Sequence, residues 1–383
     1  MKQLWNRQPI EIRYTILAAI LLLVIVSFFY FVKFEGNITG FFRIGSLFPI
    51  SPYLNSDQVL IYQGEQGYDG QQFLSIALDP WLENSGTIEA ITPPQYRYRR
   101  ILYPLLGYLL GFGNTQLIPY AMVGINCLAI ILIVFVSSLY FKRYSGRTWQ
   151  SLLVFSIPGV WMVLSLSTAD LISSLLLVTA IYFYRNEKPI YTAIAIAAAC
   201  LTRETMLLMW LAILLTSIWE RKGRQLQHLL WAWIPVAGWA IYVLYRLEAQ
   251  ENLEGSENFG YPLFGIGQKL INSLTGGLGG KNLFEAYSFA LLIAAFAVTI
   301  LLASQFLREN KVILISAIIY AVLFSMTSMT ILGYYLDYSR VYLDIYFLLL
   351  LSTSYSKRYL SFLKNIVMAG ASLASITYLL AHS

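Results

Sequence analysis

Apolar runs alternate along the chain with short polar interruptions, and the lengths of those runs set the first expectation. The opening run, 14–32, approaches the roughly 20 residues that a helix needs to cross a bilayer, and no small-residue cleavage site follows it, so a retained helix is expected. Segment 101–112 is apolar but short and carries Pro104, which reads as a half-buried or re-entrant helix. The next full run is 117–141. After it come 152–166, 170–184, 191–201, 205–218, 229–245, 284–307, 312–331, 341–352 and 363–380. Several are too short to cross hydrocarbon alone, since a helix rises only about 1.5 Å per residue. Short helices of this kind are tolerated where their ends meet at a protein-lined cavity.

The interruptions after alternate runs are rich in Lys and Arg: 142–147, 185–188, 220–224, 308–311, and Lys357-Arg358 with Lys364. Lys2, Arg7 and Arg13 precede the first run. Because such residues are retained on the cytoplasmic side, the N-terminus is expected inside and the C-terminus outside, with about 11 crossings in all. The expected fold is an all-α polytopic membrane protein, one integral membrane domain over 1–383. Residues 34–100 then form a long first outer loop. Residues 247–283, rich in Gly, Asn and Glu, form a second outer loop that reads as a cover hinged at Gly276-Gly277-Leu278-Gly279-Gly280.

Composition sharpens this picture. Of 383 residues 58% are hydrophobic and 12% charged, against about 25% charged in a soluble domain, so no separate soluble domain is expected. The net charge of +6 does not point to nucleic acid, because the basic residues come in clusters between apolar segments. Cys127 and Cys200 lie inside apolar runs, and His228 and His382 are the only histidines, so neither a disulfide framework nor a zinc or haem site is expected.

The charged residues left over fall in or beside the outer segments. Asp69, Asp79, Arg97, Arg99, Arg100, Asp170, Arg203, Glu204, Asp337, Arg340 and Asp344 are expected to line one externally open cavity, since ionisable groups at membrane depth are costly and face protein or water. Asp69, between Gly67 and Gly70 and beside Tyr68 and Gln71, is the candidate general base, because a carboxylate can take the proton of an attacking sugar hydroxyl. Asp79 before Pro80 reads equally as a turn signal and as a ligand contact. Arg97, Arg99 and Arg100 suit phosphate, which a guanidinium fork binds bidentately; headgroup anchoring is the alternative.

Arg203 and Glu204, neighbours in sequence, point about 100 degrees apart on a helix and so need separate partners, with Arg97, Arg99 or Arg340 open to Glu204. A buried network and direct ligand contact are both open for this pair. Asp337, Arg340 and Asp344 share one face if 334–344 is a single helix, and Arg340 is a second phosphate candidate. Asp170, close to Thr168, reads as a helix cap.

One cytoplasmic N-terminal helix, a long acid-bearing outer loop, a string of short helices and a final Arg-bearing turn resemble the GT-C class of multi-pass glycosyltransferases. Tyr68-Asp69-Gly70-Gln71 and Tyr98-Arg99-Arg100-Ile101-Leu102-Tyr103-Pro104 are similar to segments of glycosyltransferase family 87, the polyprenol-phosphate-mannose-dependent group, and related bacterial membrane proteins. The resemblance implies sugar transfer, with inversion, from a polyprenyl-phosphate sugar donor to an envelope glycan or lipid acceptor on the periplasmic or extracellular face of the plasma membrane. It implies Asp69 as base, with Tyr68, Gln71, Asp79, Arg97, Arg99, Arg100, Arg203, Glu204, Asp337 and Arg340 contacting substrate. Many members of the class carry paired acids in the first outer loop, whereas Asp69 and Asp79 stand ten apart (79 − 69), so no metal ligand set is read and a divalent metal is left open. A transporter or flippase of lipid-linked glycan, or a non-catalytic polysaccharide assembly factor, are the competing readings. The first would favour internal inverted repeats, which the sequence does not display.

Overall fold

The computed structural model describes residues 8–247, 257–277, 279–352 and 358–381. Lys2 and Arg7, residues 248–256, Leu278 of the glycine hinge, Lys357 and His382 lie outside the described residues. The apolar runs form helices. α1 (Ile10–Phe28) closes in a π turn over Phe29–Lys33. The first polar segment then folds as a compact cap: two short parallel strands, β1 (Ile44–Gly45) and β2 (Ile61–Tyr62), are followed by α2 (Asp69–Leu78), α3 (Ser85–Glu89) and α4 (Pro94–Tyr98). The expected short element at 101–112 is α5 (Leu102–Leu110), far too short to span, with Pro104 in the first turn where its missing N–H costs nothing.

α6 (Ile118–Tyr144) is a full-length apolar helix. The run at 152–166 is broken, with a 3-10 stretch over Thr148–Ser156 meeting α7 (Pro158–Leu166) at 58°. Proline at the first helical position forces extended backbone on Ile157 before it. There follow α8 (Asp170–Arg185), α9 (Pro189–Thr202), α10 (Met206–Trp219), α11 (Gly223–Arg246), α12 (Phe264–Thr275), α13 (Gly280–Gln305) and α14 (Leu307–Ser325). The chain ends in α15 (Met329–Leu332), α16 (Tyr335–Val341), α17 (Leu343–Leu351) and α18 (Arg358–Ala381). The expected runs at 312–331 and 341–352 are each interrupted, between α14 and α15 and at Tyr342.

The protein is therefore a predominantly helical, multi-pass membrane protein. Among the described residues five helical stretches are long and apolar enough to cross a bilayer, Ile10–Lys33, Ile118–Tyr144, Gly223–Arg246, Gly280–Gln305 and Ser361–Ala381, or six if the bent pair counts as one.

The bundle has two chemically distinct poles. α8 runs from Asp170 to Arg185, roughly 24 Å at the helical rise, and so joins one pole to the other. At the far pole Lys142 pairs with Glu11 at 2.8 Å, Arg185 stacks on Tyr144, and Glu220 takes both Lys222 and Lys311. These are the basic turns of the sequence, gathered together. The near pole holds the site.

Candidate functional site

Asp69 occupies the first turn of α2, after Tyr68 in extended conformation. The backbone leaves little freedom there. Gly67 has φ of +79°, and a Cβ on Gly70 would stand 2.1 Å from the Leu166 carbonyl oxygen, so both positions call for glycine. α2 is buried along its whole length, which fixes the carboxylate at a helix N-terminus where the backbone dipole favours negative charge.

Three arginines converge on Asp69. Arg97 Nη1 lies 2.6 Å from Oδ1, Arg340 Nη1 bonds Oδ2, and Arg100 Nη1 stands 3.9 Å from Oδ2. Burial opposes the charge on Asp69, but Arg340, Arg97 and Arg100 outweigh it and hold the carboxyl well below the usual carboxylate range. Arg97 and Arg100 share a face because they are three residues apart along one helical turn. Buried Tyr98 points the other way, donating its hydroxyl to the Pro80 carbonyl at 2.8 Å, while its own carbonyl accepts from Trp239 Nε1 of α11 at 3.0 Å. The guanidinium of Arg100 lies 4.2 Å from the centre of the Tyr96 ring.

A second layer links these groups to the bundle. Arg100 Nε donates to Glu204 Oε2 at 2.6 Å; burial works against the Glu204 charge, yet Arg100 holds its carboxyl down at about 2. Arg203 reaches Asp170 Oδ1 at 2.9 Å, the Val341 carbonyl at 3.1 Å and Asp344 Oδ2 at 3.9 Å. Asp170 also accepts from Thr168 Oγ1 at 2.6 Å and stands 3.9 Å from Arg340 Nη1, so Arg340 lies between the two acids at the helix starts. The Arg340 guanidinium sits 4.9 Å from the centre of the Tyr68 ring, and the Tyr68 hydroxyl donates to Asp337 Oδ1 at 2.5 Å. Burial raises the Asp337 carboxyl, against the pull of Arg340.

Tyr68, Asp69, Arg97, Arg100, Arg203, Glu204, Asp337 and Arg340 line one cavity of about 470 Å³. Three expected contacts do not. Gln71 is turned into the cap, where its Oε1 accepts from the Gly45 N–H at 3.0 Å. Asp79 closes its own loop by accepting from the N–H groups of Glu83 and Asn84 and from Thr87 Oγ1. Arg99 is exposed, on the side of its turn away from Arg97 and Arg100. Asp344 does not share a helical face with Asp337 and Arg340, because the helix breaks at Tyr342; it is fully buried, bonded to Ser174 Oγ at 2.6 Å and the Tyr320 hydroxyl at 2.9 Å.

The cavity also contains Asp170, which was expected there, and Gln72 and Tyr96, which sequence reasoning did not assign to it. Tyr96 was findable: it stands four residues before Arg100, hence on the same helical side.

Four carboxylates and four guanidiniums thus share one pocket. The buried Nε of Arg340 has no hydrogen-bond partner among the described residues, an orphaned cationic donor at the cavity. That arrangement suits an oxygen-rich anion, because forked guanidinium donors match phosphate and carboxylate geometry. It suits a divalent cation poorly, since both Asp69 oxygens already face arginines; among the described residues there is no cluster of three or more metal-ligating side chains. Comparison with family models, curated proteins and solved structures finds no match for the chain.

Proposed function

We propose that this protein is a membrane glycosyltransferase that moves a sugar from a polyprenyl-phosphate donor to an envelope glycan or lipid acceptor, with inversion at the anomeric carbon. The observation that carries the reading is the convergence of Arg97, Arg100 and Arg340 on Asp69 in a single polar cavity of a membrane bundle, with Arg203 beside them. In this reading the cavity opens to the periplasmic or extracellular side of the plasma membrane, the basic pole is cytoplasmic, and the short helices bring the crossings to about 11.

The acceptor oxygen attacks the anomeric carbon as its proton passes to Asp69. The bond from that carbon to the phosphate oxygen breaks, and polyprenyl phosphate departs with the electron pair, its charge met by the arginines. Clamped by arginines alone, Asp69 is a weak base, because a general base works best with a pKa near the working pH. A donor phosphate competes for the same guanidiniums. Each one that turns to phosphate returns proton affinity to Asp69, so donor binding and base activation are the same event.

Asp69→Asn is expected to leave the protein folded, with an unchanged elution profile in detergent, and to abolish transfer from a radiolabelled polyprenyl-phosphate sugar in membranes. Unchanged turnover removes the proposal. The broken pair of helices at Thr148–Leu166 lends support to a second reading, a flippase or transporter of lipid-linked glycan, since discontinuous helices are common in transporters. Purified protein that moves lipid-linked sugar across vesicles without forming a glycosidic bond would select that reading.

A further inference from the structure

α12 shows apolar side chains, alongside the exposed Gln268, Asn272 and Thr275, and hides its lysine. Phe264, Ile271 and Leu274 fall on one side of it, 59%, 60% and 85% exposed, with Leu270 beside them. The opposite side, carrying Gly265 and Lys269, is buried. Lys269 is 4% exposed, and its Nζ donates to Glu285 Oε2 at 2.7 Å and to the Gly333 carbonyl at 3.1 Å. A helix bathed in water hides its apolar stripe and shows its lysine. The reverse arrangement is stable where the surrounding medium is hydrocarbon.

At 12 residues, roughly 18 Å, α12 cannot cross the bilayer. It is instead continuous with a lipid-facing surface, since α13 is one of the spans and its first turn exposes Leu283. The segment just before it reaches the cavity. Asn258 and Phe259, just before α12, line the pocket, and this stretch is stitched to the end of α14 by Gly260 N–H to the Met326 carbonyl at 2.8 Å and Ser328 N–H to the Asn258 carbonyl at 3.0 Å.

We propose that α12 is an interfacial helix whose Phe264, Ile271 and Leu274 face lies in the acyl region of the leaflet on the cavity side, making 257–275 the wall between bilayer and cavity. The Lys269–Glu285 pair ties this wall to the site: Glu285 Oε1 accepts from the N–H of Tyr335, the first residue of α16, which carries Asp337 and Arg340. That a lipid-borne donor reaches the arginines past this wall rests on the sugar-transfer reading; the bilayer contact does not.

The test measures depth without activity. In a Cys127→Ala, Cys200→Ala background, Ile271→Cys, Leu274→Cys and Asn272→Cys are labelled singly with a bimane probe, and the protein is placed in nanodiscs of phosphatidylcholine with brominated acyl chains. Probes at 271 and 274 are expected to be quenched at least twofold more than the probe at 272, and to resist aqueous iodide. Quenching by iodide at 271 and 274 would put the helix in water. Protection from both quenchers would mean that a second copy or another protein covers it. Either result overturns the proposal, and neither depends on whether sugar transfer is observed.

Discussion

The two poles of the bundle set the same cationic residue types against carboxylates and rings, but at different depths. At the cavity pole the side chains of Arg100 and Arg203 are 9% and 5% exposed and each is set against carboxylates. At the basic pole cations lie over rings, Arg185 at 3.8 Å from the centre of Tyr144 and Lys222 at 4.6 Å from that of Tyr184, and Lys142 is 55% exposed beside Glu11. A half-exposed cation on a ring keeps part of its hydration and holds the chain in place. A guanidinium buried against a carboxylate has surrendered that hydration, so it is held by a partner that a more highly charged anion can replace. In the sugar-transfer reading proposed above, the difference marks the cavity pole as the one that takes the ligand.

Removing one cation from each pole tests this comparison most strongly. Arg203→Ala strands Asp170 and Asp344 in the interior and is expected to destabilise the protein by about 3–5 kcal/mol, whereas Arg185→Ala, which loses ring contacts and the bond to the Tyr140 hydroxyl, should cost about 1–2 kcal/mol. Thermal unfolding in detergent reads both, and equal losses would erase the distinction. Next in size, Arg340→Ala should weaken binding of a polyprenyl phosphate about tenfold to a hundredfold, as loss of a charge-assisted hydrogen bond implies. Arg340→Lys should restore only part of it, because an ammonium lacks the fork. Isothermal titration checks the pair.

A smaller effect concerns acid. Glu204 moves from an ordinary 4.5 down to about 2 in the folded protein, so its pairing with Arg100 contributes stability that is complete above 4.5 and is lost as pH falls from there towards 2. Melting temperatures followed down through that window should drop further for the wild type than for Glu204→Gln. Smallest of all, Arg99→Ala should change stability by no more than about 0.5 kcal/mol and leave phosphate binding intact.

Much of this was legible in one dimension. Helix positions followed the apolar runs closely, as with 191–201 against Pro189–Thr202 and 205–218 against Met206–Trp219, because burial in lipid or protein constrains a run of side chains directly. Gly67 and Gly70 flank Asp69 in the sequence, and the backbone path there is one that calls for glycine. What escaped was the direction of individual side chains. Gln71 and Gln72 are adjacent, yet Gln71 enters the cap and Gln72 the cavity; Arg99 points away from a site that Arg97 and Arg100 enter. A rotation of about 100 degrees per residue separates those outcomes, and no composition argument resolves it. Asp344 was misassigned for a similar reason: a break at Tyr342 changed the face. α12, taken for a stretch of covering loop, is a helix that buries its lysine, which only its neighbours Glu285 and Gly333 reveal.

By itself the sequence determined that this chain lives in a membrane, where its long apolar helices fall and which ionisable residues are too costly to sit idle in hydrocarbon, because those properties depend on local hydrophobicity and length. The tertiary structure alone decided that residues from 69 to 340 meet in one pocket, that Asp69 shares three arginines, and that Asp79, Arg99 and Gln71 stand outside. Those outcomes depend on how distant helix ends are packed against one another, and pairing between charges far apart in the chain leaves no periodic trace along it.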